Sequence, residues 1–414
     1  MPFDITPLLA PVIVPLIKIA LVLGGLMTAA AYLVLLERWI AAWVQDRLGP
    51  NRVGIPLTKI RLFGLGQPLA DGLKFIFKEE YTPAHVDKVL FIAAPISILI
   101  AALTTFAVIP FGSVLPPLGI EGVPDPIPLL IAPGFDVGAI YVFALSSIAV
   151  YGVILGGWAS NNKYSFLGGL RSSAQLIAYE IPLGLGLLGV VLASGSLRLE
   201  TIIADQAQSG VWNAFTQPLG LVVFMIAAFA EAARLPFDLP EAEQELIGGY
   251  HTEYAGMKLL LFLIAEFLHM VTAAFLIVIL FFGGWHLWGM PVPADDIISW
   301  PVAIGRVLVL MAKVLACIVF FMMVRWSWPR FRFDQLMSLA WKVMLPLGLL
   351  NLVAVAVIAE YGETWAKGLG LGYFAIAAVV GWSVLLLGWF GAALAAPLHD
   401  DNRPRTNLHE LDTN

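Results

Sequence analysis

Charge is what this 414-residue sequence has least of. Asp, Glu, Lys and Arg make up 13% of it, about half the share of an average soluble domain. With 60% hydrophobic residues and a mean hydropathy of +0.87, the chain is neither a soluble enzyme nor a disordered segment. It also lacks a basic surplus. The formal net charge is −6, which excludes a nucleic-acid-binding protein. One cysteine, Cys317, excludes a disulfide framework, a structural zinc site and a self-contained iron–sulfur cluster. No phosphate loop ends in Lys-Ser or Lys-Thr, and His251 with Glu253 lacks the spacing of a zinc helix. No metal site is expected, and redox chemistry nearby would use a partner's centres. An inverted repeat of the kind common in secondary transporters is also missing.

What the sequence does have is long apolar runs. They predict an all-α polytopic membrane protein with about nine transmembrane helices, near 12–36, 89–110, 137–159, 172–197, 211–232, 255–290, 297–324, 343–359 and 368–398. Each is near or above the ~20 residues that cross the bilayer as a helix, with 343–359 the shortest. The first run is too long, and too poor in preceding basic residues, for a cleaved signal. Gly184-x-Gly186-x-x-Gly189 matches a dinucleotide fingerprint by letter. It sits inside an apolar run with no strand before it, so close helix packing is the better reading.

Lys and Arg set the expected orientation. Eight fall in 37–88 and none in 111–136; 160–171 holds two and 325–342 four. By the positive-inside rule the N-terminus lies outside, and the first connection and C-terminus lie on the cytoplasmic side. The Pro-rich outer connection 111–136 is expected to be ordered, and the polar tail 399–414 mobile.

The first connection carries strong turn chemistry at Gly49-Pro50-Asn51. After it, Leu65, Leu69, Leu73, Ile76 and Phe77 recur at helical spacing, with Asp71, Lys74 and Lys78 opposite. This predicts an amphipathic helix at the membrane surface, with Pro68 in its first turn. It is either an interfacial anchor or the roof of a cavity opening sideways into the bilayer, with Arg38, Asp71 and Lys74 near a ligand's polar head.

Acids inside spans are the other signal. Glu180, Glu231 and Glu266 lie in or at the ends of apolar runs, and Asp238, Glu241, Glu243, Glu245 and Glu253 crowd the connection 233–254. Ionisable groups at membrane depth are costly and usually face a bundle interior. Desolvation moves a buried carboxyl toward neutral pH, where it can take up and release protons. A continuous acidic path is therefore expected from the cytoplasmic side toward the protein centre. Lys18, Arg306 and Lys313 are also within spans, as ion-pair partners or snorkelling groups.

Several stretches are specific enough to carry a resemblance. They are Glu37-Arg38, Arg47-Leu48-Gly49-Pro50-Asn51-Arg52-Val53-Gly54, Gln67 to Lys74, Gly157 to Tyr164, Glu231-Ala232-Ala233-Arg234-Leu235-Pro236-Phe237-Asp238 through Leu246, Gly249 to Tyr254, and Pro329 to Met337. From the first span to about residue 359 the chain resembles the family of H subunits of bacterial NADH–quinone oxidoreductase, respiratory complex I. The resemblance implies an eight-helix core (1–359), an additional helix in 360–398, and a polar tail. Loop 37–88 would form the lipid-side entrance and part of a quinone chamber. Glu37, Arg38, Trp39, Asp71, Lys74, Arg234, Phe237 and Asp238 are carried over to that chamber. Glu180, Glu231, Glu241, Glu243, Glu245, Glu253 and Glu266 are carried over to a path coupling quinone reduction to proton translocation.

Some relatives carry an acid in the third span where this chain has Ser146-Ser147. Quinone would be a substrate, with no cofactor bound by this chain alone and FMN and iron–sulfur clusters on partner subunits. The implied partners are the peripheral-arm subunits flanking the terminal cluster, small membrane subunits and antiporter-like subunits. Open alternatives are the membrane subunit of a related hydrogenase-type complex, a stand-alone proton or cation transporter, and a structural anchor.

Overall fold

The computed structural model describes residues 12–54, 63–117, 119, 126–238, 246–290 and 299–395. The chain is an all-α multi-pass membrane protein. Its helices are α1 (Val14–Val44), α2 (Gln67–Phe77), α3 (Lys88–Thr104), α4 (Gly138–Ala159), α5 (Lys163–Ser194), α6 (Leu199–Ser209), α7 (Pro218–Glu231), α8 (Gly256–Phe281), α9 (Trp300–Ser327), α10 (Phe333–Ser338), α11 (Leu345–Leu369) and α12 (Tyr373–Ala395). Local chemistry sets several ends. The Asp87 carboxylate accepts from the Val89 and Leu90 amides to cap α3, and the Asn162 side chain accepts from the Tyr164 amide to cap α5. α5 and α11 stop at Gly195 and Gly370, both in the left-handed region.

Among the described residues, eight helices are long and apolar enough to cross a membrane. Several ends differ from the expected spans: α1 runs on to Val44, α5 begins at Lys163 and α8 stops at Phe281, and two further runs change in character. The fifth, expected over 211–232, is a single turn Asn213–Thr216 followed by the 14-residue α7. Pro218 starts α7 because Gln217 leaves the helical region (φ −131°, ψ 58°). At 1.5 Å per residue α7 is about 21 Å long, shorter than the ~30 Å hydrocarbon core. The eighth is longer than expected: α10 runs through a wide π turn, Leu339–Met344, into α11, giving 37 residues over Phe333–Leu369. The connection between α3 and α4 contains a small antiparallel pair, Val114 opposite Pro128 and Leu115 opposite Ile127.

α8 is the axis of the bundle. It is the most enclosed long helix and packs against α1, α2, α3, α6, α7 and α9. From Leu268 to Phe281 nearly every side chain is buried, on all faces, as expected of a helix surrounded by others. Lys313 of α9 ties off its end. Its ammonium donates to the carbonyls of Phe282 (2.7 Å), Gly284 (3.0 Å) and His286 (2.7 Å) and lies over the Trp212 ring. This is a lysine at a helix C-terminus rather than a partner for a span acid. Lys18 donates to the Leu130 carbonyl, and Arg306 to Ser113 Oγ while covering Trp285.

Small residues set the close contacts. A Cβ added at Gly186 would lie 3.0 Å from Phe224 Cβ, and one at Gly189 would lie 2.7 Å from Asn351 Nδ2. Two glycines of the fingerprint-like triplet therefore let α5 approach α7 and α11. α12 docks in the same way on α11, α7 and the Asn213–Thr216 turn. A Cβ at Gly381 would sit 2.3 Å from the Thr216 carbonyl, a contact that no side chain can share. Gly381→Leu should therefore lift α12 off the bundle. Limited proteolysis of the 370–372 connection should speed up, with the melting temperature of the rest shifting by no more than a few degrees.

Candidate functional site

The C-terminal half of α1, the Arg47–Val53 turn, α2, the N-terminal half of α8 and the end of α9 enclose a cavity of about 1100 Å³. The turn is held from α1: the Trp39 indole N–H donates to the Pro50 carbonyl at 3.2 Å. Gly64 lies against the same carbonyl with φ +82°, where only glycine fits. Much of the lining is apolar, including Met27, Ala30, Val34, Leu260, Leu263, Ile264 and Phe267. The polar groups fall into two sets. On α2, Asp71 accepts from Arg38 (2.8 Å) and Gln67 (3.1 Å), with Lys74 at 3.7 Å. Across the cavity, Arg234 Nη1 contacts both oxygens of Glu37 at 3.1 and 3.2 Å, and its Nε lies 3.0 Å from Glu266. Arg325 of α9 also donates to Glu37. α2 keeps Leu69, Ile76 and Phe77 exposed on its outer side.

A second, smaller cavity of about 50 Å³ lies deeper, between α3, α4, α5, α7 and α8. Glu180, Glu231, Glu266, His269, Tyr250, Ser146 and Ser172 bring polar groups to it. Two neighbouring serines of α4 bind the two acids: Ser146 Oγ donates to Glu231 and Ser147 Oγ to Glu180. Among the described residues, Glu266 is the only one lining both cavities.

Known proteins match the chain over most of its length. A family model described as NADH dehydrogenase matches residues 17–356. An H subunit of NADH-quinone oxidoreductase from Geobacter metallireducens is 47% identical over 353 residues, 85% of this chain and 98% of that protein. The corresponding H subunit from Protochlamydia amoebophila is 47% identical over 329 residues, covering 80% and 92%. NADH-quinone oxidoreductase subunit 8 of Rhodothermus marinus is 42% identical over 349 residues, covering 81% and 94%. The chain belongs to the NADH dehydrogenase family. Both cavities lie within the stretch that the family model matches, and α12 lies beyond it.

Of the residues carried over in this family to a quinone chamber, the structure brings Glu37, Arg38, Asp71, Lys74 and Arg234 to the large cavity. Trp39, Phe237 and Asp238 are not among its lining residues. Trp39 turns toward Trp43 and the Pro50 carbonyl. Phe237 stacks on Phe331 and meets Tyr179, while Gln175 donates to its carbonyl. Asp238 is buried and pairs with Arg330 at 3.4 Å. Of the residues carried over to the coupling path, Glu180, Glu231 and Glu266 meet at the small cavity. Glu253 instead accepts from Asn162 at 2.6 Å. Glu241, Glu243 and Glu245 lie outside the described residues.

Sequence reasoning missed Arg325, Trp326, His269 and Tyr250 as lining residues. Arg325 reads locally as one more cation after a span, and its partner Glu37 is 288 positions away.

Burial pushes the Asp238 carboxyl up to about 6. The Glu266 carboxylate adds to this, and Arg330, Arg325 and Arg234 oppose it. A carboxyl raised this way stabilises the fold most when protonated. Its contribution is complete below its ordinary value near 4 and is lost as pH rises to about 6. Asp238→Asn removes that loss. Thermal melts in detergent should show the variant gaining on the natural chain from pH 4 to 6 and then holding a constant lead of at most about 3 kcal/mol. A lead independent of pH would show that Asp238 does not titrate there.

Proposed function

We propose that, as a membrane subunit of an NADH–quinone oxidoreductase, this chain forms the lipid-side entrance and part of the quinone chamber and couples quinone reduction to proton translocation. The large cavity suits a quinone in size and polarity. Small-molecule sites occupy roughly 300–1000 Å³ and are mostly apolar with a few placed polar groups. The apolar wall would receive the tail. Arg38, Lys74 and Arg234 supply positive charge where reduction develops negative charge, and Asp71 holds Arg38 in place. α2 would lie in the membrane interface, its exposed Leu69, Ile76 and Phe77 in lipid. FMN, iron–sulfur clusters and the rest of the electron path would belong to partner subunits. Those partners are the peripheral-arm subunits near the terminal cluster, small membrane subunits and antiporter-like subunits. The chain would sit in the bacterial inner membrane with its N-terminus outside and its C-terminus in the cytoplasm.

The observation that supports coupling is the position of Glu266. It faces the large cavity beside Arg234 and the small cavity beside Glu231 and Glu180. New negative charge in the chamber would compete for Arg234 and so raise the proton affinity of Glu266. A proton gained there has Glu231 and Glu180 as its next carboxylates inward. Glu241, Glu243, Glu245 and Glu253 would extend the path toward the cytoplasm. This chain's part in the reaction is therefore to bind and orient the quinone and to respond to its charge with protons.

Glu231→Gln and Glu266→Gln test the reading in the assembled complex. Each should leave assembly intact and lower NADH-driven quinone reduction or its coupled proton uptake by about 10-fold or more. Full turnover and full pumping in both assembled variants would refute it.

A further inference from the structure

We propose that His269 is the proton link between Glu266 and the Glu180–Glu231 pair. The inference rests on the coupling path above and names a member that the pattern of acids does not include. His269 follows Glu266 by three positions on α8, so both point to one face about 4.5 Å apart along the axis. Both line the same small cavity, together with Glu180 from α5 and Glu231 from α7.

The other groups facing that cavity are Ser146 of α4, Ser172 of α5 and Tyr250 of the connection before α8, with Ile98 of α3 closing it on an apolar side. The two α4 hydroxyls are already committed: Ser146 to Glu231 and Ser147 to Glu180. A hydroxyl locked on one carboxylate is a poor receiver for a proton coming from a third. Among the described residues, the imidazole is the one nitrogen base lining the cavity.

Its chemistry fits a transfer between acids without stranding a charge. One ring nitrogen accepts the proton leaving the Glu266 carboxylic acid, and the other nitrogen gives its proton to the carboxylate of Glu231 or Glu180. Glu266 ends as a carboxylate, the receiving acid as a carboxylic acid, and the ring is neutral again in its other tautomer. The return of the ring to its first tautomer resets the link. His269 acts on protons passed between acids and does not touch quinone, so it is a positioning and relay residue.

His269→Gln keeps hydrogen-bonding groups in the cavity but removes the ring that can accept a proton at one nitrogen while giving one from the other. His269→Asn does the same with less bulk, and either variant that assembles decides the question. Glu231→Gln is run alongside in the same complex, reconstituted in liposomes. Expected is a loss of NADH-driven quinone turnover and proton pumping of about 10-fold, with the KM for quinone unchanged and the solvent deuterium isotope effect on turnover increased. A merely structural role would lower turnover without changing that isotope effect. Normal turnover, pumping and isotope effect in the His269 variant, with Glu231→Gln impaired, would overturn this link alone. Normal behaviour in both would overturn the coupling path and the link with it.

Discussion

A guanidinium cannot sit unpaired inside an apolar bundle, and the arrangement of four chain segments follows from how Arg234 is answered. Glu37 comes from α1, Glu266 from α8 and Arg325 from α9, while Arg234 itself stands just past the end of α7. The Arg234 side chain is 4% exposed and that of Glu37 11%. Removing one partner from such a pair leaves a buried charge and costs about 3–5 kcal/mol, more than most single core contacts. The cluster therefore fixes three long helices relative to one another. Phe267 lies under the Arg234 guanidinium at 4.3 Å, so an aromatic face closes the remaining side.

The same cluster stands on the boundary between the two cavities. The large one is bounded by α1, α2 and α9, the small one by α4, α5 and α7, and α8 contributes to both. In a medium of effective dielectric near 20, a unit charge about 10 Å away is worth about 1–2 kcal/mol, enough to change a proton affinity roughly 10-fold. Events in one cavity can thus be felt in the other through charge alone, without a large movement of helices. Close packing through Gly186, Gly189 and Gly381 gives the surrounding bundle little freedom to relax and absorb that signal.

Much of this was legible in the sequence, and the parts that were not share a physical reason. Runs of apolar residues gave the helices, because membrane thickness imposes a length. Their ends were less visible: α7 is cut short by the break at Gln217, and Phe333–Leu369 is prolonged past the turn at 339–344 until Gly370 stops it. Glu37, Arg38, Asp71, Lys74 and Arg234, which line the large cavity, stand out in the sequence because their motifs are dense. Trp39 was drawn in by its neighbours, yet successive helical residues point about 100° apart, and the indole faces the Pro50 turn instead. Arg325, His269 and Tyr250 join their sites through contacts between distant segments, which no local period encodes. Ser146 and Ser147 stood out only as a departure from relatives. Their hydroxyls nonetheless reach the same two glutamates from one helix.

Those two hydroxyls bear on how the protein is made. α4 contains no Asp, Glu, Lys or Arg from Gly138 to Ala159. A carboxylate at the middle of such a segment raises its insertion free energy by roughly 2.5–3.5 kcal/mol as it leaves the translocon. With serines in that position, α4 can partition into lipid during synthesis unaided, before α5 and α7 have brought Glu180 and Glu231 to meet it. The polar connection is completed only once all three helices are in place, so biogenesis and a finished polar interior do not compete.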